Sequence, residues 1–260
     1  MEAILLILFF VAATSIADVL GAGLVVLRQW SQAASRALIA FAVGVMASLA
    51  LLHLLPEALE LGEETGFAVK QLLVLVALGL FAAFVFERVV AWYHCHGESC
   101  PIHKAVPARR TTLFAGATFE EFIDGATIAL ATLAGGFPLG ALTSIAVFAH
   151  EIPETAAKTV AFITFGASRK KAVILVMLTT LGAFSGALLT GIGLSFVKEY
   201  QAPLLAFAAG AFLYIATSDL IPELHGFVLR KWFFLELALV LLGAVLIWFV
   251  GEAFPEPTHL

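Results

Sequence analysis

The chain has 260 residues, of which 62% are hydrophobic and only 13% charged, about half the roughly 25% charged share of a soluble domain. The net charge is -5 and no basic stripe is present, which excludes nucleic acid as a partner. The composition reads as an all-α integral membrane protein with the lipid bilayer as its partner, and two cysteines, Cys95 and Cys100, are too few for a disulfide framework.

A membrane-spanning helix needs about 20 mainly apolar residues. Eight such runs follow one another, at 3–27, 36–60, 68–93, 111–134, 139–166, 172–194, 201–225 and 232–251, within one domain covering 1–260. The first run carries Glu2 and no basic residue before its apolar stretch, so it reads as a retained span rather than a signal peptide, although Ser15-Ile16-Ala17 resembles a cleavage site. Its lone polar residue, Asp18, reads as a helix–helix hydrogen-bonding group. The second run ends in His53 and Glu57, four residues apart, with Glu60, Glu63 and Glu64 beyond. His53 and Glu57 read as lining a polar pathway, and the three glutamates beyond as interfacial polarity. After the third run comes a loop, 94–110, in which His94, Cys95, His96, Cys100 and His103 place five potential metal ligands within ten residues. That composition suits metal binding, although the spacing is that of no standard zinc finger.

Orientation follows from the basic residues. Eleven of the fourteen fall on one side: Arg28, Arg36, Arg88, Lys104, Arg109, Arg110, Arg169, Lys170, Lys171, Arg230 and Lys231. Lys70 and Lys198 fall on the other side, and Lys158 lies within a span. The positive-inside rule places the eleven in the cytoplasm and both termini outside, as expected of a protein of the cytoplasmic membrane.

The chain also repeats itself. Residues 41–60 align without gaps to 207–226, matching Phe41 to Phe207, Gly44 to Gly210, Leu54 to Leu220, Pro56 to Pro222 and Glu57 to Glu223, with His53 opposite Asp219. The two segments run in opposite directions across the membrane. Spans four and five show a fainter version, Glu121-Phe-Ile-Asp124 against Glu151-Ile-Pro-Glu154. The expected plan is eight helices in a 3+2+3 inverted repeat, a layout typical of secondary transporters, with a site near the midplane. Asp219, Glu223 and His225 then mirror His53 and Glu57 at the inner end.

Spans four and five carry the densest polarity. Positions three and four apart share a helical face, so Glu120 and Glu121 lie near Asp124, and His150 and Glu151 near Glu154. Gly135-Gly136-Phe137-Pro138 is a short connection, so the two polar faces can meet. Pro153 cannot donate to the helix ladder and leaves the Ala149 carbonyl free. One ionised group at a helix centre costs about 2.5–3.5 kcal/mol on insertion scales. Five carboxylates therefore need compensation by protons, by Lys158 one turn beyond Glu154, or by metal. Carboxylate with imidazole suits zinc, manganese and iron.

At these residues the chain resembles the ZIP (Zrt/Irt-like) family of divalent metal transporters. The family's fourth span carries His-Asn-x-x-Asp/Glu-Gly, matched here by Glu120-Glu121-Phe-Ile-Asp124-Gly125, and its fifth carries His-Glu-x-Pro-His/Glu, matched by His150-Glu151-Ile-Pro153-Glu154. The resemblance implies a membrane transport domain that moves divalent metal, zinc first and manganese, iron or cadmium after it, into the cytoplasm by an elevator-like movement. The metal is a bound substrate and not a cofactor. The resemblance further implies a first site from Glu120, Asp124, His150 and Glu154 with Met46 nearby, and an adjoining second site from Glu121, Asp124, Glu151 and Glu154. Glu120 stands where the family has His and Glu121 where it has Asn, which hardens the donor set. Some members supply another carboxylate from span six, where this chain has Thr179, Thr180 and Ser185, and Lys158 is then a candidate tethered cation. Two alternatives stay open: an intramembrane metalloprotease, because His150-Glu151-Ile-Pro-Glu154 approaches H-E-x-x-H, and a passive cation channel. Small residues such as Gly182/Gly186 and Gly191/Gly193 permit close helix approach, and a homodimer is an option the sequence does not decide.

Overall fold

A computed structural model describes residues 2–27, 32–92, 106–194, 198–225 and 230–253. They are helical apart from short turns: α1 (Glu2–Leu27), α2 (Gln32–Leu49), α3 (Leu55–Thr65), α4 (Val69–Trp92), α5 (Val106–Thr164), α6 (Arg169–Thr179), α7 (Leu181–Leu194), α8 (Gln201–Tyr214), α9 (Ile221–His225) and α10 (Arg230–Ala253). Among the described residues, seven helical segments are long and apolar enough to cross a membrane. The exterior is apolar, as lipid demands, and a polar cluster lies within a largely apolar interior: Phe233, Phe234 and Trp248 of α10 face outward, whereas Asp18, Glu121 and His150 are buried.

The longest segment folds back on itself. As one straight helix the 59 residues of α5 would reach about 90 Å at 1.5 Å per residue, three times the thickness of the hydrocarbon core. Gly135 (φ -103°, ψ 17°) and Gly136 (φ 65°, ψ -150°) leave helical geometry, and the left-handed φ at Gly136 is one that a side chain would strain. The reversal is tighter than the four-residue connection expected from the sequence, because Phe137 and Pro138 already belong to the second half. The halves then lie side by side, which brings Asp124 and His150 within 3.2 Å.

The sequence repeat has a structural counterpart. The helix of α2 opens into a π-turn at Ala50–Leu54 and resumes as α3, and that of α8 opens at Ile215–Leu220 and resumes as α9. Each π-turn precedes a matched proline, Pro56 or Pro222, and each ends on a bond five residues back, from the Leu55 amide to the Ala50 carbonyl and from the Ile221 amide to the Ala216 carbonyl. Proline lacks the N–H and its ring pushes away the carbonyl four residues back, and the wider turn absorbs the mismatch. Packing repeats as well. Gly44 of α2 lies against the Val240 carbonyl of α10, and Gly210 of α8 against the Val76 carbonyl of α4. Gly243 of α10 meets the Phe41 carbonyl, and Gly79 of α4 meets the Phe207 carbonyl. Four glycines thus build the α2–α10 and α8–α4 pairs in the same way, as small residues do in membranes.

The helices sort into two groups. In one, α1, α6 and α7 pack around α5; in the other, α2 packs on α10, α8 on α4, and α3 on α8. The groups meet mainly where α2 and α8 touch α5. At one end Arg36 pairs with Glu236 and donates to the Leu224 carbonyl at 2.7 Å, tying α2 to α10 and α9. The sixth run, expected as one helix, is interrupted at Thr180, where the Thr179 hydroxyl turns back to the Val176 carbonyl at 2.7 Å.

Candidate metal centre

Close backbone packing assembles the polar cluster. Gly125 lies against the Ala183 carbonyl, Gly182 against that of Thr118, and Gly186 against that of Phe122, which seats α7 on the first half of α5. Gly21 lies against the Ile152 carbonyl, which seats α1 on the second half. Of the glycine pairs expected to permit close approach, Gly182/Gly186 does so. Gly191 touches only the Ile7 side chain and Gly193 faces open space.

His150 is the centre of one lobe. It is fully buried, and its Nδ1 lies 3.1 Å from the Ala146 carbonyl. A carbonyl can only accept, so Nδ1 carries the proton, and Nε2 is turned toward the carboxylates. Nε2 lies 3.2 Å from Asp124 Oδ2, 3.7 Å from Glu154 Oε2 and 4.0 Å from Glu151 Oε2. Ligand atoms around a tetrahedral zinc at about 2.1 Å stand roughly 3.4 Å apart, so this donor set has the right dimensions, and the backbone bond at Nδ1 is the partner a ligating histidine normally has. Asp124 Oδ1 and Glu151 Oε2 are buried without hydrogen-bond partners.

Lys158 is the centre of the other lobe. Its Nζ lies 3.4 Å from Glu151 Oε1, 3.5 Å from Glu120 Oε2 and 3.6 Å from Glu121 Oε1, and it pairs closely with Glu154 Oε1. Glu151 and Glu154 therefore bridge the lobes, each giving one oxygen to His150 and the other to Lys158. The Thr155 hydroxyl lies between Asp18 Oδ1 at 2.8 Å and Glu151 Oε1 at 2.7 Å, and the Thr180 hydroxyl donates to Asp18 Oδ2 at 3.2 Å. Among the described residues, two groups have donor atoms close enough to share an ion: Asp124, His150 and Glu151, and Asp18, Glu121 and Glu151.

A cavity of about 530 Å³ leads to the Lys158 lobe. Glu120, Glu154 and Lys158 line it together with apolar residues such as Phe86, Leu113 and Tyr214, so it runs between α5 and the α4–α8 pair. Glu120 and Glu154 are the most accessible members of the cluster, with side chains 29% and 17% exposed. Of the residues expected at the first site, Asp124, His150 and Glu154 come together, whereas Glu120 faces Lys158. Met46 is fully buried in the apolar core that α2 and α5 share. His53 lies against Gly251 of α10, and Glu57 is buried in α3. The side chains of Asp219, Glu223 and His225 lie outside the described residues. So do His94, Cys95, His96, Cys100 and His103.

Two contributors were missed by the sequence pattern. Asp18 forms the expected helix–helix bonds but also belongs to the cluster. Phe212, fully buried, meets the His150 ring edge-on at 6.4 Å from α8. A signal for Phe212 was present, because the gapless repeat sets it opposite Met46.

This combination defines a membrane protein whose interior holds a buried cluster of donors that could hold a metal ion. Residues 96–251, more than half of the chain, match the family model described as the ZIP zinc transporter, and the chain belongs to that family. It is similar to zinc transporter ZIP4 of Mus musculus, 36% identical over 112 residues, which cover 42% of this chain and 16% of that protein. It is similar to zinc transporter SLC39A7 of Rattus norvegicus, 39% identical over 112 residues, covering 40% and 24%. It is also similar to zinc transporter ZIP10 of Homo sapiens, 31% identical over 146 residues, covering 52% and 17%. The chain spans between 16% and 24% of the length of these curated relatives.

Proposed function

We propose that this protein carries divalent transition-metal ions across the cytoplasmic membrane into the cytoplasm, zinc first among them, with manganese, iron and cadmium as competitors. The observation that carries this reading is the His150 lobe: one fully buried imidazole with carboxylate oxygens of Asp124, Glu154 and Glu151 within 4.0 Å, in a chain of a zinc transporter family. Asp124, His150 and Glu154 hold the ion, and Glu151 bridges toward Lys158.

The fold-back at Gly135–Gly136 makes α5 two spans, so eight spans in a 3+2+3 inverted repeat cross the membrane, with both termini outside. Ion passage follows an elevator-like movement. Its support is the division of the helices into two groups, which meet mainly where α2 and α8 touch α5, with the cavity lying between α5 and the α4–α8 pair. Phe212 closes over the His150 ring from the opposite group and moves off it as the groups slide. His53, Glu57, Asp219, Glu223 and His225 line the ends of the pathway.

Radioactive zinc uptake into proteoliposomes tests the reading. Saturable uptake, competed by manganese and cadmium and lost in Glu154→Ala, is expected. Uptake linear in zinc concentration at channel rates, or no uptake under any gradient, would overturn it.

A further inference from the structure

This inference rests on the metal-carrier reading and concerns how many ions the cluster takes. Six buried or half-buried carboxylates, those of Asp18, Glu120, Glu121, Asp124, Glu151 and Glu154, converge from α1 and both halves of α5. Such a set would ordinarily call for two divalent ions bridged by shared carboxylates. The two lobes have that form: Glu151 and Glu154 each split their oxygens between them.

The lobes differ in what stands at their centres. His150 Nε2 can give a lone pair to a metal, and the buried oxygens Asp124 Oδ1 and Glu151 Oε2 on its side have no hydrogen-bond partner; Glu121 Oε1 and Glu154 Oε1 on the Lys158 side have none either, but there the neighbouring group is the ammonium itself. Around Lys158 the centre is itself a cation, contacting four different carboxylates. It donates to Glu151 Oε1 at 3.4 Å, and the other three carboxylates surround it as ion pairs. A divalent ion placed among those same oxygens would overlap Nζ and be repelled by it. Lys158 is buried, is covalently part of the second half of α5, and does not exchange as a solution ion would.

We propose that the Lys158 ammonium is a built-in cation that permanently fills the second lobe, so that the chain binds and carries one divalent ion at a time, in the His150 lobe. The consequence concerns stoichiometry. Removing the ammonium while keeping the stem turns the second lobe into a metal site made by Glu120, Glu121, Glu151 and Glu154. Restoring a positive charge of another shape closes it again.

The test counts zinc by equilibrium dialysis and elemental analysis on the purified full-length chain. His94, His96 and His103 are replaced by Ala, and Cys95 and Cys100 by Ser, to remove loop ligands. One zinc per chain is expected in this background, two after adding Lys158→Met, and one after adding Lys158→Arg. Each protein is first shown to be monodisperse. Two ions in the background overturn the inference at once, whether or not Lys158→Met folds, and leave the carrier reading intact. One ion in a well-folded Lys158→Met protein also overturns it. No zinc in the background sinks the carrier reading itself, and the inference with it.

Discussion

At the residue scale, Thr155 shows how a neutral side chain shapes a charged site. Its hydroxyl lies within hydrogen-bonding distance of both Asp18 and Glu151, so it orients the carboxylate that bridges the two lobes. Outer partners of metal ligands typically contribute 10–100-fold to affinity. Thr155→Val should therefore weaken zinc binding by about 10–100-fold, while Thr155→Ser keeps it close to wild type; isothermal titration of the purified protein reads both. Equal affinity in Thr155→Val would mean that Glu151 is held by other contacts. The five carboxylates of α5, His150 and Lys158 were legible because they interrupt apolar runs at helical spacing. The place of Asp18 was not: its partners Thr155 and Thr180 lie 137 and 162 residues away, and no local pattern links a lone aspartate to them. Glu120 was assigned to the imidazole side by motif position, but its side chain reaches Lys158, since the direction of a long side chain is not fixed by spacing.

At the element scale, the repeat is written in glycines and prolines more than in polar residues. Gly44 and Gly210 do the same work in the α2–α10 and α8–α4 pairs, each placing its α-carbon where a side chain would strike a carbonyl of the facing helix. Gly44→Val and Gly210→Val should each lower thermal stability in detergent, by about 1–3 kcal/mol for overpacking, and by similar amounts because the environments are equivalent. Gly23 of α1 faces open space, so Gly23→Ala should be neutral or stabilising by up to about 1 kcal/mol through better helix propensity. A large loss at Gly23 together with none at Gly44 would contradict the packing described. The matched glycines and prolines were visible in the aligned sequence. The π-turns were not, because one extra residue in a turn leaves the 3.6-residue apolar pattern intact on either side.

At the scale of the whole molecule, the proposed topology makes an accessibility prediction. In a protein with Cys95 and Cys100 replaced by Ser, Thr65→Cys at the α3–α4 turn and Phe137→Cys at the fold-back of α5 should react with a membrane-impermeant thiol reagent from outside. Ser168→Cys, which caps α6, should react only from inside. Phe137→Cys carries most weight, because its side chain is exposed and the eight-span plan needs the fold-back on the outer face. Labelling of all three from one side would overturn the plan. That the chain is helical, with several segments apolar enough to cross a membrane, was legible in composition alone. The grouping of helices into two packed bodies was not, since it depends on which apolar faces meet.

X-ray absorption spectroscopy of the zinc-loaded protein tests most directly whether the buried cluster is where the ion resides. One imidazole nitrogen and two or three carboxylate oxygens at about 2.0–2.2 Å are expected, and the imidazole signal should disappear in His150→Ala. A first shell containing sulfur at about 2.3 Å, unchanged by His150→Ala, would place the ion at Cys95 and Cys100 instead and contradict the central role given to the cluster.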